Sequence, residues 1–580
     1  MNTEEIKVTK TGYPSIDKPW LDHYKKVMGT DDFSTPEPMS IYDYIFERNK
    51  EHLNQTAIKY LGVDVSYAEF FDKIEQTASA LTAMGIKEGD IVTIAMPNFP
   101  EVIYLIYALN RIGAVSNNIH PLASQNELLF YIDEVKSKFM FMFAGTYSMI
   151  KDVIDQTTIE TAVVISPVDS IGAVKRTLYN MKNKVKLAEP FIDWKTFIKK
   201  GKGIEAPNVH KDPTKVAVIS HTGGTTGDPK GVMLADIGYN NFVYYANTAV
   251  VANTRNLRFM PVLPTFVNYS LNNACHGAFA CGGTLCMVPQ YDPKHFRQYL
   301  DQYHPNILFT IPPYVEAMLN DPDMADADVS CFKVMLVGGE AISPELQERA
   351  KEYFRTHNND ELIVTRGLGA TEMTSGITYT YPELDDPMSV GMPYFYDVVK
   401  AVKPGTTEEV KYNEIGELCF LSPDHMIGYY NNKEATDKVL QKHPDGKIWM
   451  HMGDLGKIDE VGNVFVTGRI KRIFMTKGKD GLVTKVFPDR IQNTINQVEG
   501  VNLSCVVGVK DEKRVYYPKA YIELTDPSLD KEAIKTAIIK ICEKELPGYE
   551  VPDEIEFMDK LPRTDRDKVD YRALEEDQDV

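Results

Sequence analysis

From about Ile41 onward the chain switches repeatedly between two hydrophobic periodicities, and no other feature limits its fold as strongly. Apolar runs of four or five residues stand at Ile91–Ala95, Thr161–Ile165, Val216–Ile219, Leu285–Val288, Ile307–Ile311 and Val334–Val337. Near-continuous apolar runs of that length read as strands buried on both faces. Between them, Tyr67–Leu81 and Pro100–Ile112 space their apolar residues at helical intervals, with a turn at Gly89-Asp90. Strands alternating with helices predict α/β layers with largely parallel sheets. At 580 residues the chain exceeds one ordinary core of roughly 100–200 residues, so several packed units are expected. Its 43% hydrophobic content excludes a mostly disordered or fibrous chain.

The texture marks the divisions. Residues 1–40 are polar and Pro-bearing, and read as an N-terminal extension that wraps onto the rest. Residues 41–470 form the large domain, within which about 385–470 reads as a β-rich subdomain with strands at Val398–Val402, Glu417–Leu421, Trp449–Met452 and Val464–Thr467. Residues 471–580 read as a small α+β domain of ordinary size.

A net charge of −19 opposes a broad nucleic-acid face, because a phosphate backbone would be repelled. It leaves room for small phosphorylated ligands, which need only a local positive pocket. The seven cysteines include no Cys-x-x-Cys pair, so neither a disulfide framework nor a zinc site is expected from their spacing. Cys275, His276, Cys281 and Cys286 fit no common zinc pattern. The start lacks an apolar leader, and no uncharged run reaches the ~18 residues of a membrane span. A cytoplasmic protein without an integral membrane segment is expected.

The chemistry concentrates first in Ile219-Ser-His-Thr-Gly-Gly-Thr-Thr-Gly-Asp-Pro-Lys-Gly231, which follows a strand. Glycines let backbone N–H groups approach phosphate oxygens, hydroxyls add donors, and a lysine adds positive charge. Pro229 separates Gly227-Asp228 from Lys230, so the string is no Walker loop. A flexible surface turn would be the plain alternative for a shorter string.

This segment resembles the phosphate loop of the adenylate-forming superfamily, which includes acyl- and aryl-CoA synthetases, peptide-synthetase adenylation domains and luciferases. The resemblance runs from about Tyr67 to Leu574, with further motifs in the family's order. It implies two stacked, mostly parallel sheets, a β-rich subdomain and a small mobile C-terminal domain. It also implies ATP binding by Thr222, Gly223, Gly224, Thr225, Thr226, Gly227 and Lys230. In Gly367-Leu-Gly-Ala-Thr-Glu372, Thr371 would meet the α-phosphate and Glu372 would hold Mg²⁺, a hard cation that takes oxygen ligands. Leu368 replaces the family's aromatic residue against adenine, between Gly367 and Gly369. Gly338, Gly339 and Glu340 resemble the adenine-side loop. Asp454 would accept the ribose hydroxyls, with Met452 in place of the usual Thr, and Arg469 would be the second ribose contact.

Lys471 falls at the family's hinge. Leu561-Pro-Arg-Thr-Asp-Arg-Asp-Lys-Val569 resembles its lysine loop and makes Lys568 the adenylation lysine, with Arg566 the nearest competitor. Asp567 replaces the usual Gly there. Residues 473–488 are about five longer than the family pattern. Val267, Tyr269 and His276 fall at the acyl pocket. Val267 stands where relatives carry His, or Asp for an amino acid; an apolar residue cannot pair an ammonium group, so an amino-acid substrate is disfavoured. The implied activity is AMP-forming activation of a fatty or aromatic carboxylic acid, followed by transfer to CoA. Transfer to a carrier protein's phosphopantetheine and a catalytically silent, nucleotide-binding relative are the alternatives.

Overall fold

A computed structural model describes residues 10–171, 186–209, 212–222, 229–339, 341–384, 386–469, 472, 474–477, 483–511, 514–564 and 568–576. Two large sheets form the bulk of the molecule. One has eight strands in the order Gly428–Tyr429, Lys230–Ala235, Val216–Thr222, Val115–Asn118, Ile91–Ala95, Phe139–Phe143, Thr161–Ile165 and Phe191–Asp193. Its pairs are parallel from Val216–Thr222 through Phe191–Asp193, and antiparallel at the Lys230–Ala235 end. The other has seven strands, in the order Ile363–Arg366, Val334–Val337, Ile307–Thr310, Arg258–Pro261, Thr284–Met287, Thr56–Tyr60 and Val63–Ser66, all parallel except the last pair. The α/β class with mostly parallel sheets is therefore as expected.

Helices Tyr67–Ala83 and Pro100–Arg111 show how the sequence builds this layer. Ser66 and Glu69 close a reciprocal capping box that satisfies the first N–H groups of Tyr67–Ala83. Pro100 starts the second helix, where its missing N–H costs nothing. That second helix is buried around almost its whole surface, with Glu101 and Asn110 enclosed among its apolar residues. Phe70 stacks on Phe279 at 4.6 Å, joining the first helix to the segment before strand Thr284–Met287.

A third sheet pairs Val398–Val402, Gly416–Leu421, Ile448–Ile458 and Leu440–Lys442, with Val464–Arg469 on Ile448–Ile458. The β-rich segment is not self-contained, however. Gly428–Tyr429 leaves it to pair with Lys230–Ala235 at the edge of the eight-stranded sheet. The C-terminal part has its own core, in which Val506 and Ile522 of the sheet Val501–Asp511, Val515–Leu524 and Glu554–Met558 cluster with Val486, with Ile491 of helix Pro488–Ile495 and with Ile538 of helix Lys531–Glu545. Among the described residues no helix is long and apolar enough to cross a membrane.

Residues of the described N-terminal segment pack against distant parts of the chain. Helices Pro14–Asp17 and Leu21–Met28 bring Ser15 to the Glu409 carboxylate, and the Tyr24 hydroxyl donates to the Pro393 carbonyl at 3.0 Å. Trp20 and Tyr24 are fully buried. Trp20 lies so close to Gly462 that a β-carbon there would sit 2.9 Å from its backbone nitrogen.

Candidate active site

The glycine-threonine string is the connection of a hairpin. Strands Val216–Thr222 and Lys230–Ala235 pair antiparallel, with Thr222 directly opposite Lys230. Both ends of the loop are thereby pinned at one ladder rung. Gly223, Gly224, Thr225, Thr226 and Gly227 lie outside the described residues. Lys230 Nζ stands 5.5 Å over the Tyr429 ring, and the Tyr429 hydroxyl donates to Glu372 at 2.8 Å. Burial and the adjacent carboxylate push the Tyr429 phenol well above its usual range, which keeps it a donor. Glu372 is buried, and its backbone carbonyl accepts from Met426 N–H at 2.7 Å. The hairpin lysine and the Glu372 carboxylate are thus joined through one tyrosine.

Tyr429 carries no motif signal, because it lies 57 residues from Glu372 in sequence. Glu134 was equally invisible. Its carboxylate accepts from Gly231 N–H at 3.4 Å and lies 3.6 Å from His221 Nδ1, against the base of the same hairpin.

Gly367 and Gly369 have a local reason for being glycine. A β-carbon at Gly367 would collide with the Thr378 carbonyl oxygen, and one at Gly369 with that of Ser375. Leu368 N–H donates to Thr378 Oγ1 at 2.8 Å, and its side chain is part-buried against the core. This tight backbone return holds the short turn Thr371–Met373 that carries Thr371 and Glu372. Gly367→Ala is expected to cost roughly 1–3 kcal/mol of stability by overpacking, measured by denaturant unfolding. An unchanged midpoint would mean that the return can relax.

Gly338 follows strand Val334–Val337, and a β-carbon on it would sit 3.0 Å from the Tyr269 ring. Tyr269 OH donates to the Leu336 carbonyl at 3.1 Å. A predicted acyl-pocket residue and the predicted adenine-side loop are therefore in contact. Gly339 adopts φ +83°, which glycine accommodates without strain; Glu340 lies outside the described residues. Val267 is half-buried, and its carbonyl accepts from Ser270 N–H at 2.9 Å, opening a π-helical stretch over Ser270–His276. His276 belongs to the core. Its ring nitrogens are bonded to Tyr107 OH at 2.9 Å and Asn240 at 3.0 Å, and burial pushes it down to about 3, so it stays neutral.

Asp454 and Arg469 face each other across Ile448–Ile458 and Val464–Arg469, with Nε 2.8 Å from Oδ1. Asp454 is 3% exposed. Burial raises its carboxyl, and the charges of Arg469 and Lys568 oppose that rise. Lys568 thus lies within electrostatic reach of Asp454. Its own loop is braced by Thr564, whose N–H donates to the Lys568 carbonyl at 2.7 Å.

Arg469 N–H also donates to Asp489 at 2.9 Å, and Asp489 pairs with Arg472. Arg472 in turn donates to the Val506 carbonyl at 2.9 Å, linking the β-rich sheet to the C-terminal core. Lys471, Arg566 and Asp567 lie outside the described residues. The extra length after the hinge belongs to a hairpin, Phe474–Lys477 paired with Val483–Val486, whose tip also lies outside them.

The family comparisons agree with this arrangement. The family model described as "AMP-binding enzyme" matches residues 45–430, and "AMP-binding enzyme C-terminal domain" matches residues 490–568. A probable 4-coumarate–CoA ligase of Dictyostelium discoideum is 26% identical, over 81% of this chain and 83% of its own length. A long-chain-fatty-acid–CoA ligase of Escherichia coli O157:H7 is 25% identical, over 97% of this chain and 98% of its own. Among solved structures, the anthranilate CoA ligase AuaEII in complex with anthranoyl-AMP superposes with a TM-score of 0.79 at 20% identity, over 94% of this chain and 98% of that one. With two large, mostly parallel sheets, a hairpin framing the glycine-threonine loop and both parts of the family model matched in order, the chain belongs to the AMP-binding enzyme family.

Proposed function

We propose that this chain activates a fatty or aromatic carboxylic acid with ATP and passes the acyl group to CoA. Its membership of the family and the relatives named as CoA ligases for both acid types, matched over most of their length, support the reading. In the first step a carboxylate oxygen attacks the α-phosphorus; the new P–O bond forms as the bond to pyrophosphate breaks. The protein's part is positioning and charge neutralisation rather than covalent chemistry. Lys230 and the loop from Thr222 to Gly227 would cradle the phosphates, Thr371 would contact the α-phosphate, and Gly338, Gly339, Glu340 and Leu368 would flank adenine. Asp454 and Arg469 would hold the ribose, and Lys568 would stabilise the charge that develops on the reacting phosphate. In the second step the CoA thiol attacks the acyl carbon and AMP leaves, after the C-terminal domain has turned about Lys471.

The observation that carries this reading is the pairing of buried Asp454 with Arg469, held across adjacent strands in a chain that both parts of the family model match in order. Glu372 fits Mg²⁺ as a hard oxygen donor oriented by Tyr429 beside the hairpin lysine. Bound there, the ion would neutralise phosphate charge. Seven free thiols, six of them buried, support a reducing, cytoplasmic setting.

The test is pyrophosphate release and thioester formation against a panel of carboxylic acids, with CoA present or absent. Acid-dependent release with a CoA thioester is expected. Release without thioester would replace CoA by a carrier protein, and no release with any acid would sink the enzymatic reading.

A narrower expectation concerns Asp454→Ala. ATP affinity should fall roughly ten- to hundredfold, the effect of one or two hydrogen bonds to a charged group. The fold should survive, because Arg469 is 52% exposed at its side chain and is not left as a buried orphan charge. Calorimetric titration checks the first part, and a retained thermal transition the second.

A further inference from the structure

A second cluster of chemistry-bearing side chains lies in the β-rich sheet, and the proposed reaction uses none of it. Cys419 on Gly416–Leu421 and His451 on Ile448–Ile458 are cross-strand partners. His443 reaches the same spot from the turn after Leu440–Lys442, a turn fixed by its own backbone: His443 N–H donates to the Lys447 carbonyl, and Gly446 N–H to that of His443, both at 2.9 Å. All three residues are buried, with exposures of 0%, 3% and 6% for Cys419, His443 and His451. One donor atom from each lies within 4.8 Å of the others. His443 Nε2 is 2.8 Å from His451 Nε2, and Cys419 Sγ is 3.5 Å from His451 Nε2.

A tetrahedral ion at ordinary Zn–N and Zn–S bond lengths holds a nitrogen and a sulfur about 3.6 Å apart and two nitrogens about 3.4 Å apart. The spacing of Cys419 Sγ from His451 Nε2 already fits, His443 lies within 4.8 Å of both, and the two imidazoles need part by only about half an ångström. Glu417, two residues before Cys419, puts Oε1 3.2 Å from His451 Nδ1. A carboxylate on Nδ1–H fixes the tautomer that frees Nε2 for a metal, the usual outer partner of a ligating histidine. A thiolate and this carboxylate together balance a dication. Lys400, the neighbour of Cys419 on the opposite strand, stands over the Trp449 ring at 3.9 Å, with Asp445 and Glu409 as counter-charges.

We infer that Cys419, His443 and His451 bind one borderline-soft transition-metal ion, of the zinc or copper class, with Glu417 as the positioning residue for His451. Loading transfers the Cys419 thiol proton to solvent, moves the proton of the His443–His451 hydrogen bond from His443 Nε2 to its own Nδ1, and forms a metal–thiolate bond. A Cys-His-His set suits both metals. The ion would tie Gly416–Leu421, Ile448–Ile458 and the turn after Leu440–Lys442 together, three residues before Asp454 on the same strand.

The test uses the full chain, purified without a polyhistidine tag, stripped with chelator and titrated with Co²⁺. A thiolate-to-cobalt charge-transfer band that saturates at about one equivalent is expected. Cys419→Ser should abolish the band, and His443→Gln should weaken Co²⁺ binding by at least about tenfold. Competition with Zn²⁺ and with Cu⁺, together with elemental analysis of the untreated protein, identifies the resident metal. Absence of the band in the unsubstituted chain overturns the site whether or not the variants fold, as does a band that persists in Cys419→Ser.

Discussion

Replacing Lys568 with alanine is expected to lower the rate of adenylate formation by at least about 10²–10³-fold, the usual cost of removing one group that stabilises developing charge. Thioester formation from supplied acyl adenylate should change little, because in the proposed mechanism that step would follow a reorientation of the C-terminal domain. The loop should keep its shape in the variant, since its bracing bond from Thr564 N–H ends on the Lys568 backbone carbonyl. Single-turnover assays of the two half-reactions separate the outcomes. Equal loss in both would remove Lys568 from the first step and would point to a general disturbance of the domain. Lys568→Arg should recover part of the rate, because a guanidinium keeps the charge but changes its geometry.

The second large effect is on stability and comes from Glu101. It lies on the buried helix Pro100–Arg111 with 1% exposure. One oxygen accepts from Ser170 Oγ at 2.6 Å, and the other is buried without a hydrogen-bond partner among the described residues. Burial raises its carboxyl from 4.5 to about 8. An acid whose folded pKa is raised binds its proton more tightly when folded, so its charge opposes folding once pH exceeds the unfolded value. The native state should therefore lose stability progressively from about pH 4.5 to about pH 8 on this account, by roughly 4–5 kcal/mol across the window. Glu101→Gln keeps an acceptor for Ser170 and removes the ionisation. The variant should match the native chain near pH 5 and exceed it by several kcal/mol at pH 8, read by urea unfolding at each pH. A stability difference independent of pH would show that Glu101 stays ionised in the fold.

The parts of this molecule that could be read from sequence are those in which local pattern and tertiary role coincide. Ile91–Ala95 and Val334–Val337 are apolar on both faces because each lies inside a sheet, and their runs declare it. The glycines around Leu368 were legible as a motif, yet their steric reason, the return of Thr378 and Ser375, was not. The strand Lys230–Ala235 was missed because a strand–loop–strand unit looks, up to its lysine, like a strand–loop–helix unit. Tyr429 and Glu134 were out of reach for a different reason. Each meets the hairpin through a contact made only when distant segments pack, and a lone tyrosine or glutamate carries no spacing signal. His276 shows the converse: a polar residue beside a predicted pocket, satisfied inside the core by Tyr107 and Asn240.

The packing of the N-terminal segment bears on how the chain is made. Trp20 and Tyr24 leave the ribosome long before their neighbours Pro393 and Gly462, which emerge hundreds of residues later. At roughly 5–20 residues per second, these two rings must wait tens of seconds for those neighbours. Their docking against Pro393 and Gly462 therefore follows synthesis of most of the chain.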